Sequence, residues 1–311
     1  MTAIAWKSKI ILFKIEETYG TDPTPTGAAN AMLMTNVSYS PMVGNSVSRD
    51  LEFSYLAAQG KIPAGLRVQL KGRVELVPSG TAGTAPAWGP LVRCCRWGET
   101  IVADTSVTYS PVSEDMESGT LWFWIGGTKQ IVTGIRGDVD LKVDAQGIPY
   151  LEFTLTGLYS DPAEVARATP TLTGFKKPKV ATKANTPIFK INDVSLIMRS
   201  FALNMSNQVT PRLLVGADEI IISDGAETAS ARVQAVPLTT FNPFSLAKAE
   251  TEVEAVLQHG TVAGSIATLT LGQCQIDLMG DYQQQDNILE WTLPLIPLPS
   301  SGNDQWSLAL T

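Results

Sequence analysis

Leu151-Glu152-Phe153-Thr154-Leu155 and Leu289-Glu290-Trp291-Thr292-Leu293 are one strand written twice, 138 positions apart. In each copy Leu, an aromatic and Leu take one face while Glu and Thr take the other, the period-two pattern of a half-buried strand. A second echo lies just upstream: Asp140-Leu141 with Asp144, and Asp277-Leu278 with Asp281. A period this long exceeds any solenoid unit and suits a whole small β-domain. The chain therefore reads as one domain duplicated.

The totals agree. A chain of 311 residues carries a prior of about two domains. Hydrophobic residues are 44% and charged residues only 17%, which is material for two cores and a surface that something else covers. No apolar run approaches the ~18 residues of a spanning helix. Lys7, Lys9 and Lys14 break up the N-terminus, so no signal peptide is expected. The sequence predicts a soluble, non-secreted protein without membrane insertion. Cys94, Cys95 and Cys274 have no metal-ligand spacing and read as buried thiols. The net charge of −7 is concentrated in the second half, where residues 186–311 hold 5 basic and 13 acidic side chains. No basic stripe marks a nucleic-acid interface.

Working outward, residues 1–30 form an arm rich in turn-forming Gly, Pro and Asp after a short strand at Ile10 to Ile15. The first domain occupies 31–160. It carries a long connection at 41–64, whose apolar Leu51, Phe53, Tyr55 and Leu56 suggest a hairpin packing on a neighbour. Gly65 to Val77 alternates cleanly between apolar and polar residues. A helix from about Pro90 to Trp97 ends at Gly98. An added hairpin is expected over 105–127, with Val107-Thr108-Tyr109 returning as Leu121-Trp122-Phe123-Trp124.

Residues 161–185, rich in Pro, Thr, Ala and Lys, make a linker. The second domain, 186–311, replays the first. Val194-Ser195 echoes Val37-Ser38, and Arg232-Val233-Gln234 matches Arg67-Val68-Gln69. Asn242 caps a second helix that opens with Pro243, buries Leu246, Ala249, Val253, Val256 and Leu257, and stops at Gly260.

Catalytic constellations are missing. The one histidine, His259, falls at the expected end of that helix, where the dipole favours a cation. No G-x-S-x-G, phosphate loop, H-E-x-x-H or EF-hand pattern occurs. Asp138, Asp140 and Lys142 alternate with apolar residues as the wet face of a strand, and Glu250, Glu252 and Glu254 read as a solvated helix flank. No enzyme and no cofactor are expected.

The arm Glu16-Glu17-Thr18-Tyr19-Gly20-Thr21-Asp22-Pro23, followed by Asn30-Ala31, resembles the start of the major tail tube proteins of long-tailed, non-contractile bacteriophages. The resemblance implies a mainly β fold with two tandem tail-tube-like β-sandwich or barrel domains, each with one flanking α-helix. It implies a structural virion protein whose subunits form rings that stack into the hollow tail. Most members carry one tube domain and form six-fold rings, so two domains imply a trimeric ring with pseudo-six-fold symmetry. Implied partners are further copies of the chain and the tape-measure, tail-terminator and distal tail proteins. Genomic DNA would pass through the lumen without specific binding. The implied location is the virion tail, assembled in the host cytoplasm.

Contacts between subunits or rings are then expected at Tyr19, Asp22, Pro23, Arg49, Asp50, Leu51, Phe53, Tyr55, Trp122 and Trp124. The polar faces of 66–76 and 229–236 would line the lumen. An alternative is a carbohydrate-binding receptor-binding or decoration protein of a phage particle, using Trp122 and Trp124 as a sugar platform.

Overall fold

The computed structural model describes residues 3–311. Strands hold 50% of the residues and helices 4%, so the fold is mainly β. In the first half the strands are β1 (Ile10–Ile15), β2 (Thr35–Ser48), β3 (Lys61–Glu75), β4 (Trp97–Val102) and β5 (Ser106–Pro111). They continue with β6 (Gly119–Ile125), β7 (Thr128–Asp144), β8 (Tyr150–Leu158) and the short β9 (Ala163–Glu164). Helix α1 (Gly89–Arg93) precedes β4. The second half opens with β10 (Ile188–Ile191), β11 (Val194–Ser195), β12 (Met198–Asn204), β13 (Asn207–Leu214), β14 (Ala217–Gly225) and β15 (Thr228–Gln234). Helix α2 (Pro243–Lys248) leads into β16 (Glu252–His259), β17 (Ala267–Ile276), β18 (Gln283–Gln285), β19 (Ile288–Pro297) and β20 (Ser307–Leu310).

Each half packs two antiparallel sheets. One runs β2–β3–β8–β7 in the first half and β12–β15–β19–β17 in the second. The other runs β1–β6–β7 and β10–β16–β17. β7 serves both sheets because it bends in its middle. At Gly134 φ is +60, and an added Cβ would lie 2.7 Å from the Tyr19 hydroxyl. The register slips between Thr133 and Arg136 there, a glycine bulge that re-aims the strand. The quoted strands lie at the heart of this arrangement. Leu151, Phe153 and Leu155 are 0–1% exposed, and Trp291 and Leu293 0–4%, but Leu289, expected on the same face, is 44% exposed. Each of the buried side chains is worth about 1.5–3 kcal/mol of burial.

The halves are continuous. Ser200 to Asn204 of β12 pair with Asp144 to Asp140 of β7, which joins the two four-stranded runs into one. At the other sheet edge β20 inserts between β5 and β17. Trp306 is fully buried beside Trp97, ring centroids 4.6 Å apart.

Several local expectations are corrected. The hairpin over 105–127 does not form: β5 pairs with β4 and β20, while β6 pairs with β1 and β7. The first half's added hairpin is β4–β5 instead, since Trp97 and Tyr109 are buried with Trp306. Gly98 sits inside β4, and α1 ends at Arg93.

The second helix keeps its cap, the Asn242 side-chain Oδ1 accepting from Ser245 N at 3.0 Å, but stops at Lys248. Glu250 takes φ +52, and 252–259 is a strand with Val253, Ala255, Leu257 and His259 buried. Pairing with β10 and β17 decides between two periods that both fit this short apolar run.

Two registers also shift. Lys71-Gly72-Arg73 faces Thr154-Phe153-Glu152, and Arg232-Val233-Gln234 faces Thr292-Trp291-Glu290. The match of Arg232 to Gln234 is therefore Lys71 to Arg73, not Arg67 to Gln69. Ser200, opposite Arg232, is the counterpart of Ser38, opposite Lys71; Val194-Ser195 instead forms a small hairpin with β10. Glu152 opposes Asp140, whereas Glu290 opposes Gln283. Asp277 to Tyr282 loop out between β17 and β18, and the Asp277-Leu278 echo is one of spelling only.

Among the described residues no helix is long and apolar enough to cross a membrane. All three cysteines are buried and unpaired, and burial pushes the Cys274 thiol up to about 12.

Candidate assembly surfaces

Beyond Pro41 the β2–β3 hairpin leaves the body of the protein. Asn45 to Ser48 pair with Ala64 to Lys61, and the 49–60 tip follows. Its order is local. The Ser48 hydroxyl donates to the Asp50 carboxylate at 2.6 Å, and Leu51 N donates to the Gln59 side chain at 2.8 Å. Asp50 takes φ +44 to make this turn. Arg49, Asp50, Leu51, Phe53 and Tyr55 are all exposed, with Tyr55 at 65% and Leu56 fully open. The Phe53 and Tyr55 rings stack at 5.3 Å. Met42, Val47 and Ile62 extend the apolar surface down the hairpin, a patch of the kind that marks an interaction site.

The β13–β14 hairpin springs from the same place in the second half, yet it is docked. Ile220 is fully buried. Its N–H donates to the Tyr19 hydroxyl at 2.5 Å, and its carbonyl accepts from the Arg136 guanidinium at 3.0 Å. At the hairpin base Asn207 N donates to the Asp138 carboxylate at 2.9 Å. The Asn207 side-chain amide donates to the carbonyls of Cys95 and Gly137 at 3.0 and 3.2 Å. Burial raises the Asp138 carboxyl above its ordinary range, and the Asn207 N–H opposes this. Arg96 and Glu227, both nearly buried, pair across the same seam.

The arm is equally occupied by its own chain. β1 is a full strand of the sheet, and Glu16 behind it is buried. The Glu16 carboxylate accepts from Gly20 N, Ser118 Oγ, Thr120 Oγ1 and Gly134 N at 2.6–2.8 Å. Glu16 opens the arm motif quoted above, but nothing in that motif assigned it a buried role. The Tyr19 hydroxyl also donates to Gly134 O at 3.3 Å, clasping arm, bend and second-half hairpin together.

The Asp22 carboxylate accepts from Trp122 Nε1 at 3.0 Å, and the Pro23 carbonyl from Lys14 at 3.0 Å. Trp124 is 2% exposed. The Lys129 ammonium sits 3.0 Å from the Trp122 ring centroid, and burial lowers its pKa. Trp122 and Trp124 thus offer no open platform for a sugar. His259, in β16, is buried, and its Nδ1 lies 2.9 Å from the Thr186 hydroxyl. Burial lowers its pKa, which favours the neutral ring rather than the cation expected at a helix end.

The joined eight-stranded run has one apolar face packed on the core and one polar face. On the polar face of β3 and β15 the arginines are mostly neutralised. Glu152 accepts from Lys142 at 2.6 Å and Arg73 at 2.7 Å. Glu290, 3% exposed, is held by Arg199 and Arg232, each at 2.5 Å, the latter as an ion contact outside hydrogen-bond alignment. Both glutamates are pulled below the usual carboxylate range, Glu152 first by Lys142 and then Arg73, Glu290 first by Arg199. Among the described residues Arg67 and Lys71 on the same face make no ion pair.

A β-sandwich with free sheet edges and one long unpacked apolar hairpin presents the kind of surface that other chains dock on. The family comparison agrees: residues 6–302 match the model of the phage tail tube protein family, and the chain belongs to that family. Its role is therefore that of a structural component of the virion tail, assembled with other tail proteins into a tube. No curated protein sequence matches the chain significantly.

Proposed function

We propose that this chain is the major subunit of the tail tube, that it consists of two copies of one tube domain, and that three chains close a ring with pseudo-six-fold symmetry. The observation that carries the reading is the repeated strand order, β1–β6–β7–β8–β3–β2 against β10–β16–β17–β19–β15–β12. Joining two copies in one chain makes half of a six-membered ring's contacts intramolecular, at high effective concentration. The rings stack through the exposed 41–64 hairpin, with Arg49, Asp50, Leu51, Phe53 and Tyr55 as contact residues. The polar faces of β3 and β15 line the lumen. Arg73 and Arg232 are held by glutamates and have less to offer a phosphate, which leaves Arg67 and Lys71, among the described residues, as the unpaired cations of that face. The tube meets the tape-measure, tail-terminator and distal tail proteins at its core and ends, and it assembles in the host cytoplasm.

Averaged end-on electron micrographs of the parent particle's tail test this. Three chains presenting six lobes around a hole are expected. Six whole chains per ring would overturn the trimer, and a particle whose tube lacks this chain would overturn the function. Tyr55→Asp should leave the subunit folded and block stacking; normal tubes from that variant would remove the hairpin from the ring-to-ring contact.

A further inference from the structure

We propose that the basic segment between the two halves, Lys176-Lys177-Pro178-Lys179 with Lys183, docks in an acidic cleft of a second copy in the adjoining ring, the cleft lined by Arg96, Asp224, Glu227 and Gln305. The inference rests on the tube reading above and adds to it an electrostatic ring-to-ring contact.

Strand register puts the two surfaces at opposite ends of the molecule. Glu75 of β3 opposes Tyr150 of β8, Tyr150 opposes Lys142 of β7, and Asp144 of β7 opposes Ser200 of β12. These residues mark one end, and the basic segment lies against it. Gln146 N donates to Ala181 O at 2.9 Å, and Ala181 N to Gly147 O at 2.8 Å. A Cβ on Gly80, just past β3, would lie 3.6 Å from the Lys176 side chain. At the other end Asn204 of β12 opposes Thr228 of β15, and Ala229 opposes Leu295 of β19. The cleft, about 560 Å³, opens just beyond them, against Gly225, Glu227 and Pro297. The halves sit side by side across their strands through β7 and β12. A ring of such halves therefore turns strand ends toward the rings on either side, and opposite ends meet where rings stack.

The basic segment is tied down and left unpaired. Ala181 is buried, the Asn185 side chain donates to Val180 O at 2.9 Å, and Asn185 O accepts from Gly260 N at 2.7 Å. Lys176, Lys177, Lys179 and Lys183 are all exposed, and among the described residues none makes an ion pair. Asp144, at the same end, bridges to none of them. Such a cluster in a chain of net charge −7 is a local field of the opposite sign, suited to an acidic partner.

The cleft matches it. Beside its lining residues Ser113, Met116, Asn303 and Gln305 stand Glu114, Asp115 and Asp304, all exposed like Asp224. Among the described residues these four carboxylates make no ion pair either. Arg96, the cation in the lining, is already neutralised by Glu227. Gln305 is 8% exposed; its Nε2 donates to Glu227 at 3.1 Å, while its Oε1 has no partner. A buried acceptor left unbonded is costly, and a lysine ammonium brings three donors. One exposed ion pair is worth little, but here the set repeats with every chain along the tube.

Carbodiimide coupling of intact tails, which joins a lysine amine to a carboxylate in contact with it, tests the assignment. Peptide mapping should find the 176–183 lysines joined to Glu114, Asp115, Asp224 or Asp304. Since the two surfaces lie at opposite ends of one chain, such a link joins two copies. Tails whose lysines couple only to other carboxylates, or to none, would overturn the contact while leaving the tube standing. Charge exchange checks it separately. Lys177→Glu with Lys179→Glu should leave the subunit's unfolding curve unchanged and cut the yield of tubes about tenfold. Adding Asp224→Lys with Glu114→Lys should restore the yield. Equal yields from the parent and the lysine variant would place the contact elsewhere. A particle without a tube of this chain would overturn the function, and this inference with it.

Discussion

Two hairpins occupy one position in the repeated frame and meet opposite fates. The 207–225 hairpin lies against the first half, with Ile220 fully buried and its backbone held by Tyr19 and Arg136. The 41–64 hairpin stands off the body with Phe53, Tyr55 and Leu56 exposed. The first lies against β7 and the arm of the same chain; the second keeps its tip side chains exposed. The comparison teaches that docking is confined to the base and Ile220 face of the second hairpin, since its tip residues Leu214 and Val215 are as exposed as those of the first.

The comparison breaks hardest at Ile220. Ile220→Asp places an unpaired carboxylate where there is no water, and should destabilise the subunit by about 4 kcal/mol or prevent folding, read by urea unfolding. Tyr55→Asp on the other hairpin should leave the same curve unmoved. A similar loss at both sites would mean that the 41–64 hairpin packs on its own subunit after all.

The matched leucines sharpen the contrast. Leu151→Ala, at a fully buried site, should cost about 3 kcal/mol. Leu289→Ala should cost under about 1 kcal/mol in the monomer, in keeping with its exposure. In assembled tubes the Leu289 variant should lose thermal stability more than the monomer does; equal losses would leave Leu289 uncovered in the tube.

The matched glutamates differ less. Glu290→Gln, nearly buried, should cost about 2 kcal/mol, and Glu152→Gln, a third exposed on its side chain, should cost less. Both folded-state pKa values are depressed, so the stabilisation is present above the unfolded carboxylate range, near pH ~4.3, and is lost as pH falls through the folded values. Acid titration of stability in the two variants should show a shallower decline than in the parent, with the larger difference for Glu290→Gln. The smallest effect belongs to Phe53→Ala, under about 0.5 kcal/mol in the monomer, measured by the same unfolding curve.

Much of the architecture was legible because a period-two pattern repeated across 138 positions leaves few alternatives. Leu151 to Leu155 and Leu289 to Leu293 proved to be strands at corresponding places, and Leu66 to Leu76 alternates in β3 as its letters do. What failed was local. Val253, Val256 and Leu257 fit a helical stripe, and Val253, Ala255 and Leu257 fit a strand equally well; only β10 and β17, distant in sequence, chose. Arg232-Val233-Gln234 matched the wrong triplet because alternating strands resemble one another at every even shift; in the observed register Gly72 faces Phe153 as Val233 faces Trp291.

Of the expected contact residues, Arg49 to Tyr55 stand on a free surface. Tyr19, Asp22, Pro23, Trp122 and Trp124 turn back on their own chain. Sequence can mark an aromatic as wanting a partner, but not say whether that partner is the same molecule.

The sequence by itself determined a mainly β chain, its internal echo and the unpacked apolar segment at 41–64, because side-chain alternation and composition are local properties. Only the tertiary structure decided that Glu16 is a buried hub, that one hairpin docks while its counterpart is free, and that β2 and β18 are the unpaired edges. Those facts depend on contacts between residues more than a hundred positions apart, such as Tyr19 with Ile220, and no local pattern records which distant edge a strand will find.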